Sequence, residues 1–183
     1  MLRQRKTWAF LAVTALGLLV DQGTKSWIVA NVALQAGEIE LIPGFLALVH
    51  ERNDGMAFSL LRGWFPVFVA FTAFALWMLA DMWRRLEPDA VWTAATLGLL
   101  LSGALGNLVD RLRFQYVVDW IRVTADHPAI RDRVVDVMGS YTYPIFNIAD
   151  IAIVVGVVLI LFLGSSLEPA RSTSLNAPTP DPT

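Results

Sequence analysis

The feature that most constrains this chain is the placement of ionisable residues within, or at the ends of, runs long enough to cross a bilayer. Apolar runs at about residues 7–33, 64–82, 90–112 and 145–164 each supply roughly the 20 residues a membrane span needs. A charge at the centre of such a span costs about 2.5–3.5 kcal/mol on insertion scales, so it is a functional candidate by default. Asp21 and Lys25 lie inside the first run. Asn107, Asp110 and Arg111 close the third at spacings of three and four, one face of a helix. Asp119 lies shortly after, and Asp150 opens the fourth.

Composition agrees with a membrane protein. Hydrophobic residues make up 56% of the chain and charged residues 16%, and the mean hydropathy is +0.55, outside the range of soluble domains. A net charge of -2 without a basic run gives no reason to expect nucleic acid. The absence of cysteine rules out disulfides, thiolate catalysis and lipidation of a cysteine in this chain. His50 and His127 stand in no metal-ligand spacing, so neither metal nor cofactor is expected.

Four spans bring both termini to one side. Arg3, Arg5, Lys6, Arg84 and Arg85 assign that side to the cytoplasm, although Arg111, Arg113, Arg122, Arg131 and Arg133 then lie outside. At 1.5 Å per residue, Asp21 lies about 21 Å into the first span, past the middle of a ~30 Å core. Asp110 lies at the outer end of the third span, about 30 Å along it. Asp150 is at the outer start of the fourth, so three carboxylates converge on the outer leaflet. The expected fold is an all-α membrane protein of four transmembrane helices, with a small β-rich region of a few short strands in the first outer connection, residues 36–61, and a short interfacial helix through MAFSLL. Outer loops are expected at about 34–63 and 113–144, completing a membrane domain over 1–167, and residues 168–183 as a disordered cytoplasmic tail. Gly98, Ser102 and Gly106 recur every fourth residue, a pattern that lets helices approach closely.

Each polar residue also has an ordinary explanation. Asp21 and Lys25 are four apart and could neutralise one another; Asn53 and Gly55 could make a turn; Asp81 with Arg84 and Arg85 reads as an interfacial pair. Asp119 is different, because Val117, Val118, Trp120 and Ile121 enclose it and desolvation should favour its protonated form. Asp150 shares a helical face with Asn147. Two carboxylates brought together do not both ionise easily, which equips them to activate water against an amide. Asp110 is a rival member of the pair, but Arg111 beside it should hold it ionised and suit it to positioning.

The motifs DQGTK (21–25), NDGMAF (53–58), GALGNLVDR (103–111), VVDWI (117–121) and PIFNIAD (144–150) occur in that order across four spans. In this the chain resembles the lipoprotein signal peptidases, the signal peptidase II family of the bacterial inner membrane. The resemblance implies an aspartic endopeptidase that removes signal peptides from prolipoproteins by cutting before the diacylglyceryl-modified cysteine. It implies Asp119 and Asp150 as the catalytic dyad. Asn53, Asn107, Arg111 and Asn147 would orient the substrate backbone, and Asp21, Lys25, Gly55, Asp110 and Ala149 would support the site. The expected partners are the lipidated substrate and membrane lipid, with the enzyme a monomer. Ser102, Trp120 and Asp54 depart from the family pattern, and the stretch 122–143 is longer than usual. Two other readings remain open: a Ser and Lys peptidase with Lys25 as base and Ser26 or Ser102 as nucleophile, and a small ion or proton carrier.

Overall fold

The computed structural model describes residues 2–54, 65–126 and 131–164. Gly55, the MAFSLL piece, His127 and the tail from 168 lie outside them. In chain order the elements are α1 (Leu2–Asn31), β1 (Glu38–Ile42), β2 (Leu46–Asn53), α2 (Phe65–Arg85), α3 (Val91–Phe114), β3 (Val117–Val123), α4 (Arg131–Met138) and α5 (Ile148–Gly164). Among the described residues two stretches are long and apolar enough to cross a membrane, Val67–Arg85 and Val91–Phe114, and the apolar Ile148–Leu163 is shorter. Helix α1 has the length but carries Arg3, Arg5, Lys6, Asp21 and Lys25.

Small residues decide how these helices meet. A Cβ on Gly98 would fall 2.5 Å from the Phe10 carbonyl oxygen, and one on Gly106 would fall 2.4 Å from the Asp21 carboxylate. Contact therefore advances from Phe10 to Asp21 on α1 as it advances from Gly98 to Gly106 on α3, so the two run parallel. On α5 the direction reverses, because Gly103 abuts Ala149 and Ile153 while Leu100 abuts Gly156. The close approach puts polar groups of three helices within hydrogen-bonding reach. Lys6 sends its ammonium to the carbonyls of Leu86 (2.6 Å) and Glu87 (3.2 Å), tying the start of α1 to the α2–α3 connection at one end of the bundle.

At the other end lies an antiparallel sheet of order β1-β2-β3. The hairpin turns at Gly44, whose φ of +66° suits a residue without Cβ. Helix α3 stops at Gln115, which takes the left-handed conformation (φ 66°) and returns its N–H to the Arg111 carbonyl. The reversed chain becomes β3, paired with β2 in a register that sets Glu51 opposite Asp119. Val118 and Trp120 pack with Ile28 of α1 and with Val32 just beyond it as the core of this end. His50 fastens the sheet to α1 through Nδ1 and the Val32 carbonyl, 3.0 Å apart.

The expected β-rich region is present as a three-stranded sheet, so the molecule is helix-rich rather than all-α, and the correction concerns β3, which follows α3 instead of lying with β1 and β2 between α1 and α2. Residues 117–120 are buried in succession, so they lack the alternation that marks a strand with one wet face. Helix α4, within the long stretch after β3, is a second element absent from the sequence reading.

Candidate active site

Five elements bring their polar residues to the sheet end of the bundle. The deepest layer is ionic. Lys25 lies 2.9 Å from Asp21 on its own helix and 2.9 Å from Asp110 on α3. All three are buried, at 2%, 1% and 0% exposure. The third ammonium hydrogen goes to Asn107 Oδ1 at 3.1 Å. Asp110 is thus paired with Lys25 rather than with Arg111. Adjacent helical residues point about 100° apart, and Arg111 instead bonds the Asn107 carbonyl and lies over the Phe68 ring at 4.9 Å.

Each buried aspartate also reaches one residue short of a candidate catalytic carboxylate. Asp21 Oδ1 accepts the Ala149 N–H at 3.0 Å, and Asp110 Oδ2 accepts the Val118 N–H at 3.1 Å. Lys25 therefore holds two supports, one beneath Asp150 and one beneath Asp119. Gln22, which the sequence reading passed over, links them further: its Nε2 lies 3.1 Å from Asp21 Oδ2, from Asp110 Oδ1 and from the Gly106 carbonyl. Its neighbour Asp21 within DQGTK was the available signal. Ala149 is completely buried and stands 3.2 Å from where a Gly106 Cβ would be, so both positions require small residues.

The upper layer is a set of amides around two carboxylates. Asn147 Nδ2 donates to Asp119 Oδ1 at 2.7 Å, while its backbone N–H donates to Asp150 Oδ2 at 3.2 Å. Its Oδ1 accepts the Asp150 N–H at 3.0 Å, capping the start of α5. Asn107 Nδ2 donates to Asp150 Oδ1 at 2.8 Å. Lys25 can only donate, which fixes Asn107 Oδ1 toward Lys25 and Nδ2 toward Asp150. Asn53, at the end of β2, donates to Asp119 Oδ2 at 2.7 Å. Of the amides assigned to the substrate, Asn107 and Asn147 are buried and engaged with the carboxylates themselves. Gly55 falls outside the described residues.

The two carboxylates differ in surroundings. Asp119 is buried (2% exposed), whereas Asp150 is half-buried and lines an apolar cavity of about 220 Å³ with Tyr143, Phe146, Ile151, Val154 and Val155. Burial pushes the Asp119 carboxyl up from 3.8 to about 6. The Asn53 hydrogen bond opposes this, the Asp150 charge adds to it, and Asn147 and Lys25 oppose it again. No cluster of His, Asp or Glu fit to hold a metal occurs among the described residues. Ser102, one of the two nucleophiles of the Ser and Lys reading, gives its hydroxyl to the Leu99 carbonyl at 2.7 Å, and all three Lys25 hydrogens are engaged elsewhere, away from Ser26 as well.

Residues 13–165 match the sequence profile of the family described as Signal peptidase (SPase) II. Among curated relatives, the chain is 36% identical over 154 residues to a lipoprotein signal peptidase of Geobacter metallireducens, covering 82% of this chain and 86% of that one. It is 37% identical to the lipoprotein signal peptidase of Syntrophotalea carbinolica, covering 82% and 87%. Among solved structures it is similar to a bacterial membrane enzyme determined by the in meso method at 1.9 Å, with a TM-score of 0.71, 29% identity and coverage of 87% and 92%.

Proposed function

As the chain belongs to the signal peptidase II family, and so is a membrane peptidase that acts on prolipoproteins, we propose that it is an aspartic endopeptidase cutting before the diacylglyceryl-modified cysteine. Asp119 and Asp150 are its dyad. The observation that carries this reading is Asn147, which hydrogen-bonds both carboxylates at once, one through its side chain and one through its backbone. That arrangement ties together two acids from different elements, and Asp150 of the pair lines an apolar cavity.

In the mechanism, the pair holds one proton. It rests on Asp119, whose carboxyl is raised to about 6 by burial, and Asp150 is the base. Asp150 takes a proton from a water, and the resulting hydroxide attacks the scissile carbonyl carbon. Asp119 donates a hydrogen bond to the carbonyl oxygen as negative charge develops there. The tetrahedral intermediate collapses with cleavage of the C–N bond, and the proton taken by Asp150 passes to the departing amine of the lipidated cysteine. Asn107 and Asn147 hold the two carboxylates, and the half-buried guanidinium of Arg111 orients the substrate main chain. Asn53 steadies Asp119 from β2.

In this reading α1, α2, α3 and α5 all span the bacterial inner membrane, with both termini cytoplasmic and the sheet on the periplasmic side. The Lys6 contacts with the α2–α3 connection support a common side for the N-terminus and that connection. Against an ion or proton carrier, the hydroxyls of Thr14, Ser102 and Thr96 are bonded to main-chain carbonyls, that of Thr14 to Gly98 on α3 as well as to Phe10 on its own helix, rather than to one another.

The test is a gel-shift assay with purified protein and a prolipoprotein, with and without the diacylglyceryl group. Cleavage of the lipidated form alone is expected, and no cleavage by folded protein would refute the reading. The same assay across pH checks the proton assignment. The active form is singly protonated, so kcat/KM should fall on the alkaline side with a midpoint near the value of about 6 assigned to Asp119. The measured midpoint belongs to the coupled pair. Asn53→Ala removes a donor that favours the ionised carboxylate, so its alkaline limb should move to higher pH; a limb that stays or moves down would place the proton elsewhere.

A further inference from the structure

The long stretch after β3 has no part in the chemistry above, yet it builds a second apolar cavity. Phe45, Val123, Ala125, Tyr141, Tyr143 and Phe146 are among its lining, and it encloses about 390 Å³. Tyr143 and Phe146 also line the cavity beside Asp150, so the two share a wall. Their rings meet edge to face at 5.8 Å. A strand alternates sides, so Val123 shares a face of the sheet with Ile121 and Asp119. Cleft and cavity therefore adjoin across Tyr143 and Phe146 as a two-part trough, from Val154 and Val155 on α5, past Asp150, to the hairpin tip at Phe45.

The trough is also bordered by an open main-chain edge. Segment 140–146 lies along β3, with Tyr143 N–H bonded to the Val123 carbonyl and Phe146 N–H to that of Ile121. Between them, Ile145 has no main-chain partner among the described residues. An unpaired N–H and C=O beside side-chain cavities is how an extended peptide is held along a strand edge, and Ile145 lies between Tyr143 and Phe146, which line both cavities. An acyl chain could use the cavities but not the edge.

We propose that this trough is a substrate subsite, in which Ile145 holds the main chain and the Phe45–Tyr141 cavity takes an apolar side chain at the second residue of the prolipoprotein after the modified cysteine. This rests on the peptidase reading. The α5 end of the trough faces the spans, and hence the signal segment, so the chain beyond the cut leaves toward the hairpin. The 122–143 stretch then makes the enzyme selective for the residues beyond its cut.

The test uses three lipidated prolipoproteins that differ only at the second residue after the cysteine, carrying Phe, Ser or Asp, and full-length wild type, Phe45→Ser and Tyr141→Ser. Both side chains are exposed enough for their replacement to spare the fold. Filling an apolar pocket discriminates on the order of 10-fold or more, so wild type should favour Phe over Asp in kcat/KM by about that factor. Each variant should bring the ratio to within about twofold, mainly through KM. Equal use of Phe and Asp by wild type, or an undiminished preference in both variants, would overturn the subsite. Cleavage of none of the three would refute the peptidase reading, and the subsite with it.

Discussion

Asp119→Asn and Asp150→Asn should each lower kcat for a lipidated prolipoprotein by ~10³-fold or more with little change in KM, since general acid–base groups contribute about 10²–10⁴-fold and the two act as a unit. Each replacement keeps the shape of the side chain. Asp119→Asn retains one acceptor for Asn147 or Asn53 but not both, which weakens one hydrogen bond. It also removes an ionisation that the fold resists. The folded Asp119 carboxyl, at about 6 against 3.8 for the free group, favours folding fully below 3.8, and that contribution is lost as pH rises through 6. A neutral amide carries no such loss, so unfolding is not the expected cause of inactivity. Near-normal turnover by either variant would remove that carboxylate from the dyad.

Lys25→Met should have the largest effect on stability. It leaves Asp21 and Asp110, both buried, facing each other across Gln22 without their cation. Removing one partner of a buried ion pair costs about 3–5 kcal/mol, and the midpoint of thermal unfolding in detergent would report it. Asp21→Asn in the Lys25→Met background should recover much of that loss, because one lone carboxylate remains instead of two. A Lys25→Met protein as stable as wild type yet inactive would contradict the structural role and return Lys25 to consideration as a base.

The convergence of Asp21, Asp110 and Asp150 was legible from depth alone, because helical rise is uniform and each span has one beginning. The stripe of Gly98, Ser102 and Gly106 likewise foretold a close helix contact, which proves to be with α1: Ser102 fills the place a Gly17 Cβ would take, 2.4 Å from its Oγ. What could not be read was pairing between elements. Nearness in sequence suggested Arg111 for Asp110, whereas the partner is Lys25, 85 positions away on α1. Strand β3 escaped notice because its first four residues are all buried and carry no period. The engagement of Asn107 and Asn147 with the carboxylates was hidden for the same reason: an amide's partner is a property of the packed bundle.

The double support under the dyad also bears on when the molecule becomes active during its own synthesis. A chain emerges N-terminus first, so Asp21 and Lys25 are made long before residue 149 exists. Until α5 enters, Asp21 lacks the Ala149 N–H, Asp119 lacks Asn147, and Asp150 is not yet made. With Asp119 and Asp150 as the proposed dyad, a nascent chain would be silent toward signal peptides passing through the same insertion machinery until α5 arrives.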